Sequence, residues 1–473
     1  MDVLITPRPL SGTVTVPASK SDIHRALICA AFADAPTIIR SVKTELISVS
    51  HDIRATADAL IALGAQIAFA DEAITVHPVD WTALPLESAS FDCASSGSTA
   101  RFMLPLAAVL CRSAYFTGSE QLRRRPLDDL MVAMYEHGAR FVSPDAATAG
   151  PLTMGGSAAT LRHRTLPLRV IGGLEPGDYD IPGDVSSQYV TGLLFAMALM
   201  SQLTGEGSTL TLTSPLESAG YVDMTIESLA RFGICVEAEP GGWSVAGGQR
   251  FVSPGTLTTE GDWSNGAILL TLAAMNPGTK VKGLKASSLQ PDRFIEQVLP
   301  LWRNGRIDYT FDVRDVPDLF PLLAVMAATP VVCAPGQKPP AITFIGIDRL
   351  RYKESNRIDT TARILTAMGY EVEVSKERCT VHPKAAKTTG ANEGLTPGTT
   401  PAALGLGLSA RSRHRKPVEV DCAEDHRIVM AATVAAHALN LPVLLRGAEA
   451  IEKSYPIFFD DYRHLGGSAE VCG

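Results

Sequence analysis

Residues 57–69 read ADALIALGAQIAF: a helical face of Ala, Leu and Ile, a glycine at 64, then a short alternating run. Apolar residues three and four apart line one face of a helix, and a glycine straight after supplies the left-handed residue that ends it. The unit is amphipathic helix, glycine stop, strand. It recurs as LMVAMYEHGARFV (130–142), IESLARFGICVEA (226–238), EQVLPLWRNGRIDY (296–309), ARILTAMGYEVEV (362–374) and FFDDYRHLGGSAEV (458–471), with Gly138, Gly233, Gly305, Gly369 and Gly466 at the equivalent stops. Self-similarity of this kind marks a chain built from repeats.

Each copy follows a second element, a polar cap and then a small-residue apolar run. These are SDIHRALICAAFA (21–33), SSGSTARFMLPLAAVL (95–110), SSQYVTGLLFAMAL (186–199), WSNGAILLTLAAM (263–275), PDLFPLLAVMAA (317–328) and EDHRIVMAATVAAHAL (424–439). Apolar on nearly every side, they are predicted to be buried helices, with the glycine-stopped set peripheral. Pro105 and Pro321 each predict a kink or a shifted helix start. Strands come from the β-branched alternation of GTVTVP (12–17), AITVHP (73–78), STLTLTSP (208–215) and KPVEVD (416–421). Strands interleaved with helix pairs predict an α/β fold made of six α+β repeats, three to a lobe, with a cleft between two lobes. The Gly/Thr/Ala stretch near 388–410 and the RSRHRK after it predict a solvated surface excursion.

The chain has 473 residues, 46% hydrophobic and 19% charged, with a net charge of −8. That suits a two- or three-domain globular chain and argues against nucleic-acid or anionic-membrane partners, which need broad basic surface. No apolar run approaches the roughly 20 residues of a membrane span, and the N-terminus goes straight into strand-like sequence, so a cytoplasmic protein is expected. The eight cysteines are scattered without metal-ligand spacing and are read as reduced thiols. With no P-loop and no dinucleotide fingerprint, no cofactor and no metal are expected.

One feature of the buried helices runs against helix electrostatics. A helix N-terminus carries about half a positive charge and disfavours exposed Lys or Arg there by about 0.3–1 kcal/mol. Yet these helices open with Lys20 and Arg25, with Ser96, Gly97 and Arg101, with Ser186, Ser187 and Gln188, and with Asp425, His426 and Arg427. Free amides, hydroxyls and guanidiniums aimed at one volume would hold a polyanion, and charge-assisted hydrogen bonds of about 1.5–3 kcal/mol each outweigh the dipole penalty. Ordinary caps and local ion pairs are the alternative reading of each motif taken singly.

The ordered series SKSDIHRA, SSGSTARF, RRRPLDDL, DVSSQYVTGLL, SAGYVDMT, VPDLFPLLAV, RLRYKESNRIDTTARILTAMG, EDHRIVMAA and EKSYP resembles the 5-enolpyruvylshikimate-3-phosphate (EPSP) synthase family over nearly the whole chain. The resemblance implies a two-lobed inside-out α/β barrel with three βαβαββ-like repeats per lobe and the active site in the interlobe cleft. Lobe 1 would comprise residues 1–20 and 256–473, and lobe 2 residues 21–255. The implied reaction joins phosphoenolpyruvate to the 5-hydroxyl of shikimate 3-phosphate by addition and elimination, releasing phosphate, in a monomer.

By the same resemblance Lys20, Ser21 and Arg25 bind shikimate 3-phosphate, Lys20 also reaching phosphoenolpyruvate and serving catalysis. Ser186, Ser187 and Gln188 hold the shikimate phosphate and ring hydroxyls beside Ser218 and Tyr221. Gly97 floors the phosphoenolpyruvate pocket, gripped by Arg125, Arg357, Arg427 and Lys453. Asp318 accepts the 5-hydroxyl proton, Glu354 handles the methyl proton, Lys353 neutralises charge beside both, and His426 donates a hydrogen bond. Ser95, Ser98 and Arg349 depart from the residues common in the family, which bears on tolerance of inhibitors that mimic phosphoenolpyruvate. The rival carboxyvinyl transferase acting on UDP-N-acetylglucosamine should carry Asn after the first lysine, where Ser21 stands, and a loop cysteine, which RRRPLDD lacks. A non-catalytic anion-binding homologue should have lost Asp318, Glu354 or Lys353, and all three are present.

Overall fold

The computed structural model describes residues 1–41, 50–70, 72–142, 165–303, 309–386, 395, 399–404 and 416–472. Gly305, most of the 388–410 stretch and nearly all of RSRHRK lie outside the described residues.

The six apolar runs form helices that are buried almost throughout: α1 (Lys20–Ala31), α2 (Gly97–Leu110), α3 (Ser187–Thr204), α4 (Trp263–Met275), α5 (Phe320–Ala328) and α6 (His426–Ala438). Five are capped by a side chain that accepts a first-turn amide: Ser19, Ser96, Ser186, Asp262 and Asp425. In α5 the expected shift occurs: the helix starts at Phe320, and Pro321 sits in the first turn, where its missing N–H costs nothing. Pro105 lies inside α2, so the Arg101 carbonyl one turn back receives no amide from it. Gly192 of α3 packs there instead; a Cβ on it would lie 2.3 Å from that carbonyl oxygen.

The glycine-stopped helices run over His51–Ala62, Asp128–Glu136, Ala219–Arg231, Ile295–Arg303, Arg357–Ala367 and Phe458–His464. Past five of them Gly64, Gly138, Gly233, Gly369 and Gly466 hold φ between 81° and 101°, conformations that a Cβ disfavours.

Among the described residues the strands form five four-stranded sheets and one two-stranded sheet. One sheet shows the pattern. Strand Ala89–Asp92 leads through α2 to the parallel strand Ser113–Thr117, which pairs antiparallel with Leu168–Ile171, itself antiparallel to Arg140–Val142. That is a βαβαββ repeat, and its parallel pair exists because a buried helix makes the crossover. The same pairing recurs around α3 and α5.

The chain divides into two compact units, Met1–Pro17 with Gly261–Gly473, and Ala18–Glu260. The second unit holds α1 to α3, whose apolar faces join the sheets in one core. The first holds α4 to α6 in its own core, and the N-terminal strand Val3–Thr6 fills the sheet slot between Val443–Arg446 and Ser468–Val471. Among the described residues no helix is long and apolar enough to cross a membrane, and all eight cysteines are free.

Candidate active site

In the Ala18–Glu260 unit the functional side chains come from the starts of α1, α2 and α3. Lys20 Nζ lies 2.7 Å from Asp52 Oδ2, both largely shielded. Arg25 is buried one turn later. Its Nη1 donates to the Ser21 carbonyl at 2.7 Å, its Nη2 to the Tyr221 carbonyl at 2.7 Å and its Nε to Thr225 Oγ1 at 2.9 Å. Burial pulls the Arg25 guanidinium down to about 10, with Asp22 opposing, so it stays charged at neutral pH. His24, between them, is held far below the usual imidazole range by burial and by Lys20 and Arg25. It is a neutral link, its Nδ1 2.8 Å from Thr56 Oγ1. Charge at the start of α1 is thus met by carbonyls, the Thr225 hydroxyl and the carboxylates Asp52 and Asp22.

Gly97 is the focus of this unit. A Cβ on it would lie 2.6 Å from Arg101 Nη1 and 2.7 Å from Arg125 Nη1, so two guanidiniums occupy the space that any side chain would claim. Arg101 Nη1 also donates to Gln188 Oε1 at 2.8 Å, and Gln188 Nε2 to Ser98 Oγ at 2.9 Å. Of the three consecutive arginines, Arg123 and Arg124 are exposed and Arg125 is buried. The Pro126 carbonyl after it accepts from Arg101 Nη2 at 3.2 Å and from the Tyr189 hydroxyl at 2.6 Å, which anchors the Arg125 loop to α2 and α3. Ser186 caps α3, and Ser187 is buried in its first turn. Ser218, at φ 58°, opens the helix that carries Tyr221.

The other unit assembles a different kind of cluster. Arg357, at the start of its helix, is fully buried and is bonded to three carboxylates: Nε to Asp425 at 2.9 Å, Nη1 to Asp318 at 2.7 Å and Nη2 to Glu354 at 2.5 Å. Asp318 further meets Arg427 Nη2 at 3.2 Å and Lys353 Nζ at 3.5 Å. Burial alone would raise the Asp318 carboxyl, but Lys353, Arg357 and Arg427 outweigh it and hold it well below the ordinary carboxylate range. Loss of hydration lowers the Lys353 ammonium, with Asp318 opposing. For Arg357 burial works against the charge, and Asp425, Glu354 and Asp318 more than restore it. Arg427 is fixed from its other side by Asn265 Oδ1 at 3.2 Å. His426 is buried with Nδ1 3.9 Å from Asp425 Oδ1. Lys453 Nζ donates to the Glu424 carbonyl at 2.7 Å, at the turn leading into α6.

Sequence reading placed Arg101 and Asp425 only among the groups gathered at helix starts and assigned no role to Asn265 or Asp52. Asn265 lies in the first turn of a buried helix, so position offered a signal; Asp52 offered none. Of the unusual residues, Ser95 donates to Ser119 Oγ at 2.9 Å, Ser98 accepts from Gln188, and Arg349 Nη2 donates to the Arg314 carbonyl at 2.7 Å. Among the described residues the side chains spaced to share a metal ion are Glu371, Glu373 and His382, which belong to neither cluster.

In fold, the chain is similar to enolpyruvyl transferases. It matches the enolpyruvyl transferase NikO from Streptomyces tendae with a TM-score of 0.65 at 17% identity over 99% of this chain and 98% of that one. Its TM-score to EPSP synthase from Acinetobacter baumannii is 0.70, at 21% identity over the full length of both. Sequence narrows the class. The model of the family EPSP synthase (3-phosphoshikimate 1-carboxyvinyltransferase) matches residues 5–462. Proteins named 3-phosphoshikimate 1-carboxyvinyltransferase from Clostridium kluyveri and Halorubrum lacusprofundi are each 32% identical, over 99% and 100% of this chain and 98% and 99% of theirs. The chain belongs to the EPSP synthase family, transferases of the shikimate pathway to the aromatic amino acids.

Proposed function

We propose that this protein transfers the enolpyruvyl group of phosphoenolpyruvate to the 5-hydroxyl of shikimate 3-phosphate. The 5-oxygen attacks C2 of the enol while C3 gains a proton; the tetrahedral adduct then loses a C3 proton and breaks its C2–O bond, releasing phosphate. Asp318 takes the hydroxyl proton, Glu354 gives and retakes the methyl proton, and Lys353 offsets charge beside both. Lys20, Ser21, Arg25, Ser186, Ser187, Gln188, Ser218 and Tyr221 hold shikimate 3-phosphate. Arg125, Arg427 and Lys453 bind phosphoenolpyruvate, with His426 as a donor, and Gly97 is a further residue of the phosphoenolpyruvate set. Arg357 keeps one Nη1 hydrogen that no described residue takes up, enough for one bond to a substrate oxygen. A monomer in the cytoplasm suffices for this chemistry.

The observation that carries the reading is the pair Asp318 and Glu354 on one guanidinium, both partly accessible, at 21% and 16%, while the arginine behind them is 1% exposed. Addition–elimination needs two proton-transfer groups beside cations that neutralise the adduct. Phosphate release from phosphoenolpyruvate tests it: turnover requires shikimate 3-phosphate, and Asp318→Ala or Glu354→Gln abolishes it. Turnover with UDP-N-acetylglucosamine in place of shikimate 3-phosphate would overturn the assignment.

A further inference from the structure

Asp425 is completely buried, and the proton-transfer chemistry above makes no use of it. Its carboxylate nonetheless collects four donors. Oδ2 accepts from Arg357 Nε at 2.9 Å and from Ser355 Oγ at 3.0 Å; Oδ1 accepts from the Arg427 amide at 2.9 Å and, at 3.4 Å, from Arg357 Nη2. The contact with Arg357 is side-on, one carboxylate against the Nε and Nη2 edge of the fork. Such a bidentate pair sets the plane of a guanidinium as well as its position.

With that edge taken, the remaining donors have fixed directions. Nη1 points to Asp318 at 2.7 Å, and the second Nη2 hydrogen to Glu354 at 2.5 Å. The arrangement is layered: Asp425 and Arg357 are 0% and 1% exposed, and the two carboxylates in front of them are reachable. An arginine without its rear carboxylate would rotate toward either front one, and their separation would no longer be set.

We infer that Asp425 is a positioning residue for the transfer reaction, locking Arg357 so that a single guanidinium spaces and orients Asp318 and Glu354. The inference rests on the roles proposed above for those two carboxylates. Asp425 touches neither substrate; it acts through Arg357. Its second task, capping α6, is separable, because an asparagine side chain caps a helix about as well as aspartate but carries no charge to hold a buried arginine.

The test is Asp425→Asn in the full chain, with thermal melting, titration of shikimate 3-phosphate binding, and phosphate release with both substrates. The expected result is an unchanged fold, shikimate 3-phosphate affinity within threefold of wild type, and kcat lower by 100-fold or more. In an Arg357→Lys background the same substitution should add less than threefold, since its route of action is already gone. Asp425→Glu, which keeps the charge but shifts it by one methylene, should lose tenfold or more in kcat with melting unchanged, and serves if the asparagine variant does not fold. Near-wild-type kcat in either variant, or a full additional loss in the lysine background, overturns the inference. A wild-type protein that releases no phosphate with shikimate 3-phosphate and phosphoenolpyruvate would instead overturn the proposed function, whatever the variants do.

Discussion

The two charged clusters are built by opposite rules. Around Gly97 and the start of α1 four cations are named, Lys20, Arg25, Arg101 and Arg125, with Asp52 beside Lys20 and Asp22 acting on Arg25. Around Arg357, three cations meet three carboxylates: Lys353, Arg357 and Arg427 against Asp318, Glu354 and Asp425. A surplus of positive charge at helix starts leaves a standing field for a phosphorylated acid. A balanced network leaves little net field but keeps carboxylates ionised and oriented. The contrast supports a division of labour, shikimate 3-phosphate binding by one cluster and proton transfer by the other, with the phosphoenolpyruvate cations drawn from both, and it can be attacked from both sides.

The largest expected effect is in the balanced cluster. Asp318→Asn should cut kcat by about a thousandfold or more while shikimate 3-phosphate still binds, because a positioned proton-transfer group contributes about 10²–10⁴; stopped-flow or steady-state phosphate release reads it. An equal loss in affinity would break the division. Next comes Arg125→Ala in the surplus cluster. Loss of a charge-assisted hydrogen bond worth about 1.5–3 kcal/mol should weaken phosphoenolpyruvate binding by roughly 10- to 150-fold, measured as KM, with the melting temperature unmoved. Gly97→Ala should follow, since its methyl must push aside both guanidiniums that lie within 2.7 Å of it; the KM for phosphoenolpyruvate should rise about tenfold, with kcat changed less.

Salt sharpens the comparison further. Raising ionic strength should weaken shikimate 3-phosphate binding severalfold, because added ions screen the anionic ligand in solution before it reaches these cations, while kcat at saturating substrate stays nearly level because the ligand is then already bound.

The smallest effect concerns stability and lies outside both clusters. His437 is buried against the Tyr462 hydroxyl, and burial lowers its imidazole from 6.5 to about 4. Its folded form therefore resists the proton that the unfolded chain accepts. The stability contributed is complete above about 6.5 and is lost as pH falls toward 4, at no more than about 1.4 kcal/mol per pH unit. Denaturant unfolding of His437→Gln across that window should show a shallower pH dependence than wild type.

Much of this was legible in advance where information is local. The glycine stops, the all-apolar helix bodies and their caps follow from spacing and residue type, because a helix terminus is decided within a few residues. Pro321 could be read as a shifted start for the same reason, whereas nothing near Pro105 in sequence foretold that Gly192 of a neighbouring helix packs against the carbonyl the proline leaves without an amide. The charged residues divide likewise. That Lys20, Arg25 and Arg427 were out of place at helix starts was visible in the sequence; what receives them was not. Asp52, the Tyr221 carbonyl and Asn265 lie 32, 196 and 162 residues away.

The sequence by itself determined the repeat, the identity of the buried helices and, through its ordered motifs, the family. The ordered motifs had singled out Arg125 among the three arginines, but only the tertiary structure decided that its guanidinium packs against Gly97 next to Arg101, and that Asp425 stands behind Arg357 instead of merely capping a helix. The reason is physical: periodicity and capping are properties of neighbouring residues, while the partner of a buried charge is chosen by whichever chain segment the packing of the core delivers to it.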